Sequence, residues 1–402
     1  MQNQNTLNYS NPSIISSDRD RPLLTGIGRV DTGLLAVTLC LVGIGMLMVY
    51  SAGHVLSSNQ YGISFHYLRI QAIACVIGLV GMGIASYIPY RFYEKYSNLL
   101  LFLAFVLLIL VFTPIGMGVR GAEGGTFRRW IAIKSIRFQP VEFAKIALLI
   151  HTAHFLARKP ERIKSFFHGV LPNILIIGLM FGLVAKQPDF GSAVLLAATA
   201  GCLLFIGGIR LSHTFMLVGA GVSLLTGFII SNPYRLRRLT DYWASLQSPD
   251  ATSFQLGRSL EALKWGGFFG VGIDDSAAKI NYLPYPHTDF IFSVLGEEFG
   301  FIGTASVTII FMIFVWRGIS IARRTENRFG ALFATGLTLI IGLQAFINIG
   351  VVTGLLPTKG ITLPFLSYGG SSLVISLVSV GIILNISRSA TRTSPKVRKK
   401  GT

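Results

Sequence analysis

The chain is short of charge. Of its 402 residues only 13% are Asp, Glu, Lys or Arg, and just 17 are acidic. A soluble chain of this length needs more charge to cover its surface, so an ordinary soluble enzyme is excluded. Cysteine is scarce too: Cys40, Cys75 and Cys202 all fall within apolar runs. They build neither a disulfide framework nor metal-ligand spacing, and they read as small core residues. A cleavable leader is not expected either. The first thirty residues are polar, and the apolar run that begins near Asp31 lacks a small-residue cleavage site, so a retained anchor is expected.

What is plentiful is apolar sequence, 51% of the chain, with a mean hydropathy of +0.61. A bilayer-crossing helix needs roughly 20 apolar residues. Ten stretches qualify, near 32–53, 67–88, 97–114, 139–157, 169–186, 189–208, 211–230, 289–316, 330–354 and 363–386. The expected fold class is therefore an all-α polytopic membrane protein with ten transmembrane helices and both termini cytoplasmic. Residues 1–30 are expected to be a disordered cytoplasmic tail and 389–402 a basic one. Residues 31–388 form one membrane domain, with a large extracytoplasmic loop, 231–288, between spans 7 and 8.

The 35 Lys and Arg against 17 acidic residues give a net charge of +18. In a membrane protein such an excess marks cytoplasmic loops rather than nucleic-acid binding. With the N-terminus inside, Arg91, Lys95, Arg158, Lys159, Arg162, Lys164, Arg210, Arg317, Arg323, Arg324 and the basic tail all fall on the cytoplasmic side. Two outer regions go against this bias: 115–138 carries five basic residues and 231–288 carries six. Cations placed there suit an anionic ligand; a solvated loop is the plainer alternative.

Ionisable residues inside spans cost about 2.5–3.5 kcal/mol each and default to a functional reading. Glu142 and Lys145 are three apart on one helix face and can pair. Pro140 suits the first turn of that helix. Asp189, opening the sixth span, is expected to pair with Lys145 or Lys186, most simply as a structural tie. Asp289 and Glu297 are eight apart, so a helix through both carries them on one face. Glu298, offset by one, is expected instead to cap or to pair deeper in the bundle. His287 and Asp289 lie at the outer mouth of the eighth span. The tenth span is interrupted by Pro357, Gly360, Pro364, Gly369 and Gly370. Broken backbone at membrane depth is tolerated where it lines a cavity or is buried in protein, and it also occurs at transporter sites.

Six ordered motifs, "RRWI" at 128–131, "QPVEFAK" at 139–145, "KQPDFGSA" at 186–193, "PYRLRRL" at 233–239, "YLPYPHTDFIFSVLGEEFGFIG" at 282–303 and "NIGVVTGLLPTKGITLPFLSYGGSS" at 348–372, resemble the SEDS family of bacterial envelope proteins. The "LLPTKGITLPFLSYGGSS" form is more like the family's division branch than its elongation branch. This chain departs from the usual motifs at Val141, Phe190, Tyr285 and Pro286, and at Asp274 and Asp275.

The resemblance implies a ten-span helical fold and a peptidoglycan glycosyltransferase of the bacterial cytoplasmic (inner) membrane, acting at the division septum. Its substrate would be lipid II, a disaccharide-pentapeptide on undecaprenyl pyrophosphate. Its expected partners are a class B penicillin-binding transpeptidase and other division proteins. The family's essential aspartate matches Asp289, its loop Arg and Trp match Arg129 and Trp130, and its buried charges match Glu142, Lys145 and Asp189.

Asp289 is the candidate catalytic residue, since an acceptor hydroxyl needs a base to take its proton. Arg129, Trp130, Lys134, Arg235, Arg237, Arg238 and His287 are the candidate substrate binders. Cations among them suit a departing pyrophosphate, and Lys359 is a weaker candidate. Glu142, Lys145, Asp189 and Glu297 are the expected intramembrane charge cluster. No dedicated cofactor or metal site is expected; a divalent cation, Mg or Mn, would arrive with the pyrophosphate. A lipid II flippase is the rival reading, and a scaffold that only recruits the transpeptidase is the second.

Overall fold

The computed structural model describes residues 28–120, 126–133, 136–231, 233–247, 254–273, 286–357 and 360–390. Its helices are α1 (Thr32–Tyr61), α2 (His66–Tyr87), α3 (Tyr90–Lys95), α4 (Ser97–Leu110), α5 (Pro140–Arg158), α6 (Leu171–Lys186), α7 (Phe190–Ile206), α8 (Leu211–Ile230), α9 (Pro233–Gln247), α10 (Phe254–Gly266), α11 (Ile291–Arg324), α12 (Arg328–Val352) and α13 (Gly370–Ala390). Each of the ten expected stretches is occupied by a helix. Among the described residues, six helices are long and apolar enough to cross a membrane: α1, α2, α6 with the turn before it, α11, α12 and α13. Three more, in α4, α7 and α8, are apolar but shorter. The fourth expected span is α5, which is buried along most of its length and carries an ion pair.

The long membrane-crossing helices are apolar nearly all round, so small residues decide where they come close. A Cβ at Gly381 of α13 would sit 2.3 Å from the Met82 carbonyl oxygen of α2, and one at Gly45 of α1 would sit 2.1 Å from the Phe365 carbonyl oxygen. The larger buried cluster draws on α1, α2, α5, α11, α12 and α13. A second joins α4, α5, α6 and α7. Helix starts are capped where the sequence supplies an acceptor: Leu34 N donates to Asp31 Oδ1 at 2.8 Å, and Gly330 N to Asn327 Oδ1 at 2.9 Å.

Three expectations need correction. The outer region 115–138 is not simply a loop, and the fold is not purely helical. Strands β1 (Gly116–Arg120), β2 (Thr126–Ile133) and β3 (Ile136–Phe138) form an antiparallel sheet in the order β1-β2-β3. Gly116 pairs with Ile131, and Ile131 with Phe138.

The eighth span is not one unbroken helix from 289 to 316. Gly300, at φ 64° and ψ −160°, splits α11 into a short buried first part and a long second part. Backbone opened at such a break needs new partners, and the segment after α10 supplies them. Val271 N and Gly272 N donate to the carbonyls of Glu297 and Glu298, at 2.9 and 3.1 Å, while Phe301 N and Ile302 N donate to Gly267 and Phe268, at 2.9 and 3.3 Å. Only glycine fits at this junction. A Cβ on Gly266 would lie 1.9 Å from the Gly296 carbonyl oxygen, and one on Gly300 would lie 2.4 Å from Gly270 N.

The short helices expected on the surface between spans 7 and 8 exist as α9 and α10, but α10 is wedged inward. Leu256, Ser259 and Ala262 are buried. The Ser259 hydroxyl lies 2.7 Å from the Ser293 hydroxyl and donates to the Val352 carbonyl at 2.8 Å.

Candidate functional site

Asp289 lies in the turn 286–290 that leads into α11. It therefore precedes the helix and does not share a helical face with Glu297, as continuous periodicity had implied. Two residues of α12, Gln344 and Asn348, are four apart and project from one face. Asn348 Nδ2 donates to the Asp289 carbonyl at 2.8 Å and to the Ile361 carbonyl at 2.7 Å. Gln344 Nε2 donates to the Thr362 carbonyl at 3.0 Å. The irregular segment 360–369 is thus pinned beside the Asp289 turn. Ser367 completes the clamp by donating to the Thr288 carbonyl at 2.7 Å, and Tyr368 N donates to the His287 carbonyl at 2.9 Å. Gln71 of α2 holds the far side, donating to the Ser367 carbonyl and accepting from Gly369 N, both at 3.1 Å.

The interruptions expected in the tenth span accordingly lie before its helix, in a segment packed against the site. Gly360 comes so close that a Cβ there would stand 3.1 Å from Asp289 Oδ2. Phe365 adopts φ 66°, a left-handed conformation unusual for a bulky side chain, and is buried. Such a conformation persists only where its surroundings over-determine it.

The charges divide into separate arrangements. Lys145 lies within 2.9 Å of both Glu142 carboxylate oxygens and donates to Gln344 Oε1 at 3.0 Å, so this buried pair is tied through Gln344 to the 360–369 segment. Asp189 does not join Lys145 or Lys186. Its Oδ1 caps α7 through Ser192 N at 3.2 Å, and its Oδ2 accepts from Gln139 Nε2 at 3.2 Å. Lys186 instead lies over the Phe112 ring. Glu297 stands at the Gly300 break.

Arg129, on β2, donates from Nε to the Gln187 carbonyl at 3.1 Å and from a terminal nitrogen to the Pro188 carbonyl. It thereby fixes the 186–189 corner to the sheet. Trp130, its neighbour on β2, pairs with Met117 beside an irregularity in the β1–β2 register. Arg235, Arg237 and Arg238 lie on α9, where Arg237 is exposed. Lys134 and Lys359 lie outside the described residues.

These elements set the electrostatics of Asp289. Burial pushes its carboxyl up to about 6; the Asp189 negative charge adds to the shift and the Arg129 guanidinium opposes it. Burial lowers His287 to about 4, so its imidazole is neutral at pH 7. Its ring stacks on Tyr67 at 4.5 Å. Among the described residues, no three His, Cys, Asp or Glu side chains gather closely enough to hold a metal ion. A cavity of about 510 Å³ runs between α10, α11 and α12, lined by Leu263, Phe292, Phe301, Met312 and Ile349. No titratable side chain faces it, so it is not where the chemistry of Asp289 takes place.

Sequence reasoning named Asp289, Arg129 and His287, which the structure places near one another, and the Glu142–Lys145 pair, which it shows as an ion pair. It missed Gln71, Gln344 and Asn348, which position the turn. Two amides four residues apart inside an apolar run were the available signal.

Fold and site together define a multi-span helical membrane protein with a carboxylate site at the end of its bundle, beside a small sheet. The chain belongs to the family of cell cycle proteins that takes in FtsW, RodA and SpoVE, whose model matches residues 32–392. It is 41% identical to the probable peptidoglycan glycosyltransferase FtsW of Geobacter sp. (strain M18), over 89% of this chain and 96% of that protein. It is 40% identical to the stage V sporulation protein E of Bacillus subtilis (strain 168), over 89% and 97%. A chain solved in work on structural coordination of polymerization and crosslinking by a peptidoglycan synthase complex superposes with a TM-score of 0.73 at 26% identity, covering 90% of this chain and 98% of that one. The rod shape determining protein RodA of Thermus thermophilus superposes with a TM-score of 0.65 at 25% identity, over 89% and 97%.

Proposed function

We propose that the protein is a peptidoglycan glycosyltransferase that polymerises lipid II into glycan strands. The observation that carries this reading is a partly buried carboxylate of raised proton affinity, Asp289, with a guanidinium acting on it, in a chain that resembles named glycosyltransferases over most of its length. A sugar hydroxyl of the acceptor attacks the anomeric carbon of the donor. Asp289 takes the hydroxyl proton as the new C–O bond forms. The bond from the anomeric carbon to pyrophosphate breaks, and the electron pair leaves with the lipid pyrophosphate. Arg129 is the described cation best placed to stabilise that charge in a water-poor site. Arg237, exposed on α9, extends the basic surface the headgroup meets; Arg235, Arg238 and Lys134 remain further candidate binders, with Trp130 and His287. A Mg or Mn ion would arrive on the pyrophosphate rather than in a cage of protein ligands.

In this reading ten helices cross the bacterial inner membrane, both chain ends are cytoplasmic, and the Asp289 turn faces outward. The polyprenyl tail stays in the bilayer while the head reacts. The solved polymerization and crosslinking complex supports a class B penicillin-binding transpeptidase as partner, and the similarity to FtsW proteins supports work at the division septum alongside other division proteins.

The rival is a lipid II flippase, and vesicles separate the two. The purified protein, reconstituted with its transpeptidase partner and labelled lipid II, is expected to yield glycan strands. Labelled lipid that changes leaflet without forming strands would overturn the assignment.

A further inference from the structure

The outer corner between α1 and α2 is built to hold aromatic rings still. Gly62 ends α1 at φ 69°, with its N–H donating to the Ser58 carbonyl at 2.9 Å. The Ser57 hydroxyl then bridges the corner, donating to the Ile63 carbonyl and accepting from His66 N. In this fixed turn the Tyr61 and His66 rings stack at 3.9 Å and 16°. The Tyr61 hydroxyl reaches Tyr67, whose ring meets Tyr61 edge-on at 6.0 Å. Tyr67 in turn stacks on His287 at 4.5 Å and meets Tyr368 edge-on at 5.2 Å. The rings make one continuous wall from an exposed rim at Tyr61 to His287, two residues from Asp289.

An aromatic belt at the membrane–water boundary is the plain explanation for exposed tyrosines. Two features go beyond it. The wall runs inward to the reacting carboxylate rather than around the bundle. It also ends on a polar atom without a partner: His287 is 95% buried, its imidazole is neutral, and its Nδ1 has no hydrogen-bond partner among the described residues. A buried polar atom of this kind costs free energy unless a ligand satisfies it. Flat aromatic faces edged with hydroxyls suit a ligand with an apolar face and polar rim. A pyranose ring has that character, presenting C–H groups on its faces and hydroxyl or acetamido groups around its edge.

We propose that Tyr61, His66, Tyr67, Tyr368 and His287 form a carbohydrate-binding wall that holds the sugar rings of the glycan strand beside Asp289. This rests on the glycosyltransferase reading and deepens it by assigning a place to the strand itself. The strand lies along the rigid rings, and the sugar nearest the reacting centre accepts or donates a hydrogen bond at His287 Nδ1, according to the tautomer.

The test uses the full-length protein in nanodiscs and a soluble tetramer of β-1,4-linked N-acetylglucosamine as the probe, with binding followed by calorimetry. Wild type is expected to bind the tetramer saturably. Tyr61→Leu and His66→Gln are each expected to weaken binding by about tenfold, the scale of a lost ring contact with its hydrogen bond. Tyr61→Phe keeps the ring and should recover most of the affinity. Thermal unfolding of every variant shows whether the bundle is intact; should Tyr61→Leu fail to fold, His66→Gln and Tyr61→Phe carry the test. No saturable binding by wild type, or wild-type affinity in a folded Tyr61→Leu or His66→Gln, overturns the proposal. Asp289→Asn measured in parallel keeps the two readings apart. Normal polymerisation by Asp289→Asn together with Tyr61-dependent tetramer binding sinks the base assignment and leaves the wall. Lost polymerisation with binding indifferent to the aromatic changes does the reverse.

Discussion

Asn348 holds Asp289 by its backbone: the amide donates to the Asp289 carbonyl at 2.8 Å and to the Ile361 carbonyl at 2.7 Å. The carboxylate itself is left for other work. Asn348→Leu strips both carbonyls of this donor, and an unsatisfied buried polar group costs about 1–3 kcal/mol. The variant is expected to unfold at a lower temperature and to polymerise more slowly, because the Asp289 turn and the 360–369 segment lose their shared anchor. Thermal unfolding and initial rates on one preparation check this.

The pH dependence follows from the Asp289 carboxyl, pushed up to about 6. A base works ionised, so activity should rise with pH through about 6 and then level off. Asp189→Asn removes a negative charge that raises the value, so the acid limb should move to lower pH. Arg129→Gln removes a positive charge that lowers it, so the limb should move to higher pH. The stability effect has a definite sign. The folded state binds this proton more tightly than the unfolded chain, so the contribution is fully present below the ordinary aspartate range and is lost as pH rises through about 6. Rate–pH profiles of the three proteins test the order.

Lys145→Met leaves Glu142 as a buried carboxylate without its ammonium partner. Breaking one side of a buried ion pair costs about 3–5 kcal/mol, whereas replacing both sides with apolar groups is often nearly neutral. The single variant should lose much of its thermal stability, and Glu142→Leu combined with Lys145→Met should recover most of it. A double variant as unstable as the single one would show that the pair does more than tie helices.

Gly300→Ala tests the break in α11. Its φ of 64° disfavours a side chain, and the added Cβ would lie 2.4 Å from Gly270 N. The expected loss is more than about 2 kcal/mol. Gly43→Ala, where a Cβ meets nothing within 4 Å, is the control and should be near neutral.

How much of this was legible in the sequence depended on the kind of signal. Apolar length is a strong signal, and a helix stands in each of the ten stretches it marked. Three-residue spacing found the Glu142–Lys145 pair because a helix turn alone brings them together. Long-range pairing was not legible. Asp189 goes to Gln139 and its own helix cap, since the fold brings other groups to Lys145. The 116–138 sheet was hidden because two of its strands are only five and three residues long, and the third, TFRRWIAI, carries adjacent arginines that break the apolar–polar alternation. The Gly300 break was hidden because glycine inside an apolar run is unremarkable until the Gly270 backbone is brought against it.

The central claim is that Asp289 takes the acceptor proton. The most direct measurement compares lipid II polymerisation by wild type and Asp289→Asn, each purified with the transpeptidase partner, while lipid II and partner binding are followed separately. The account predicts that glycan strands disappear while both binding signals persist. Strand synthesis at the wild-type rate by Asp289→Asn would contradict it.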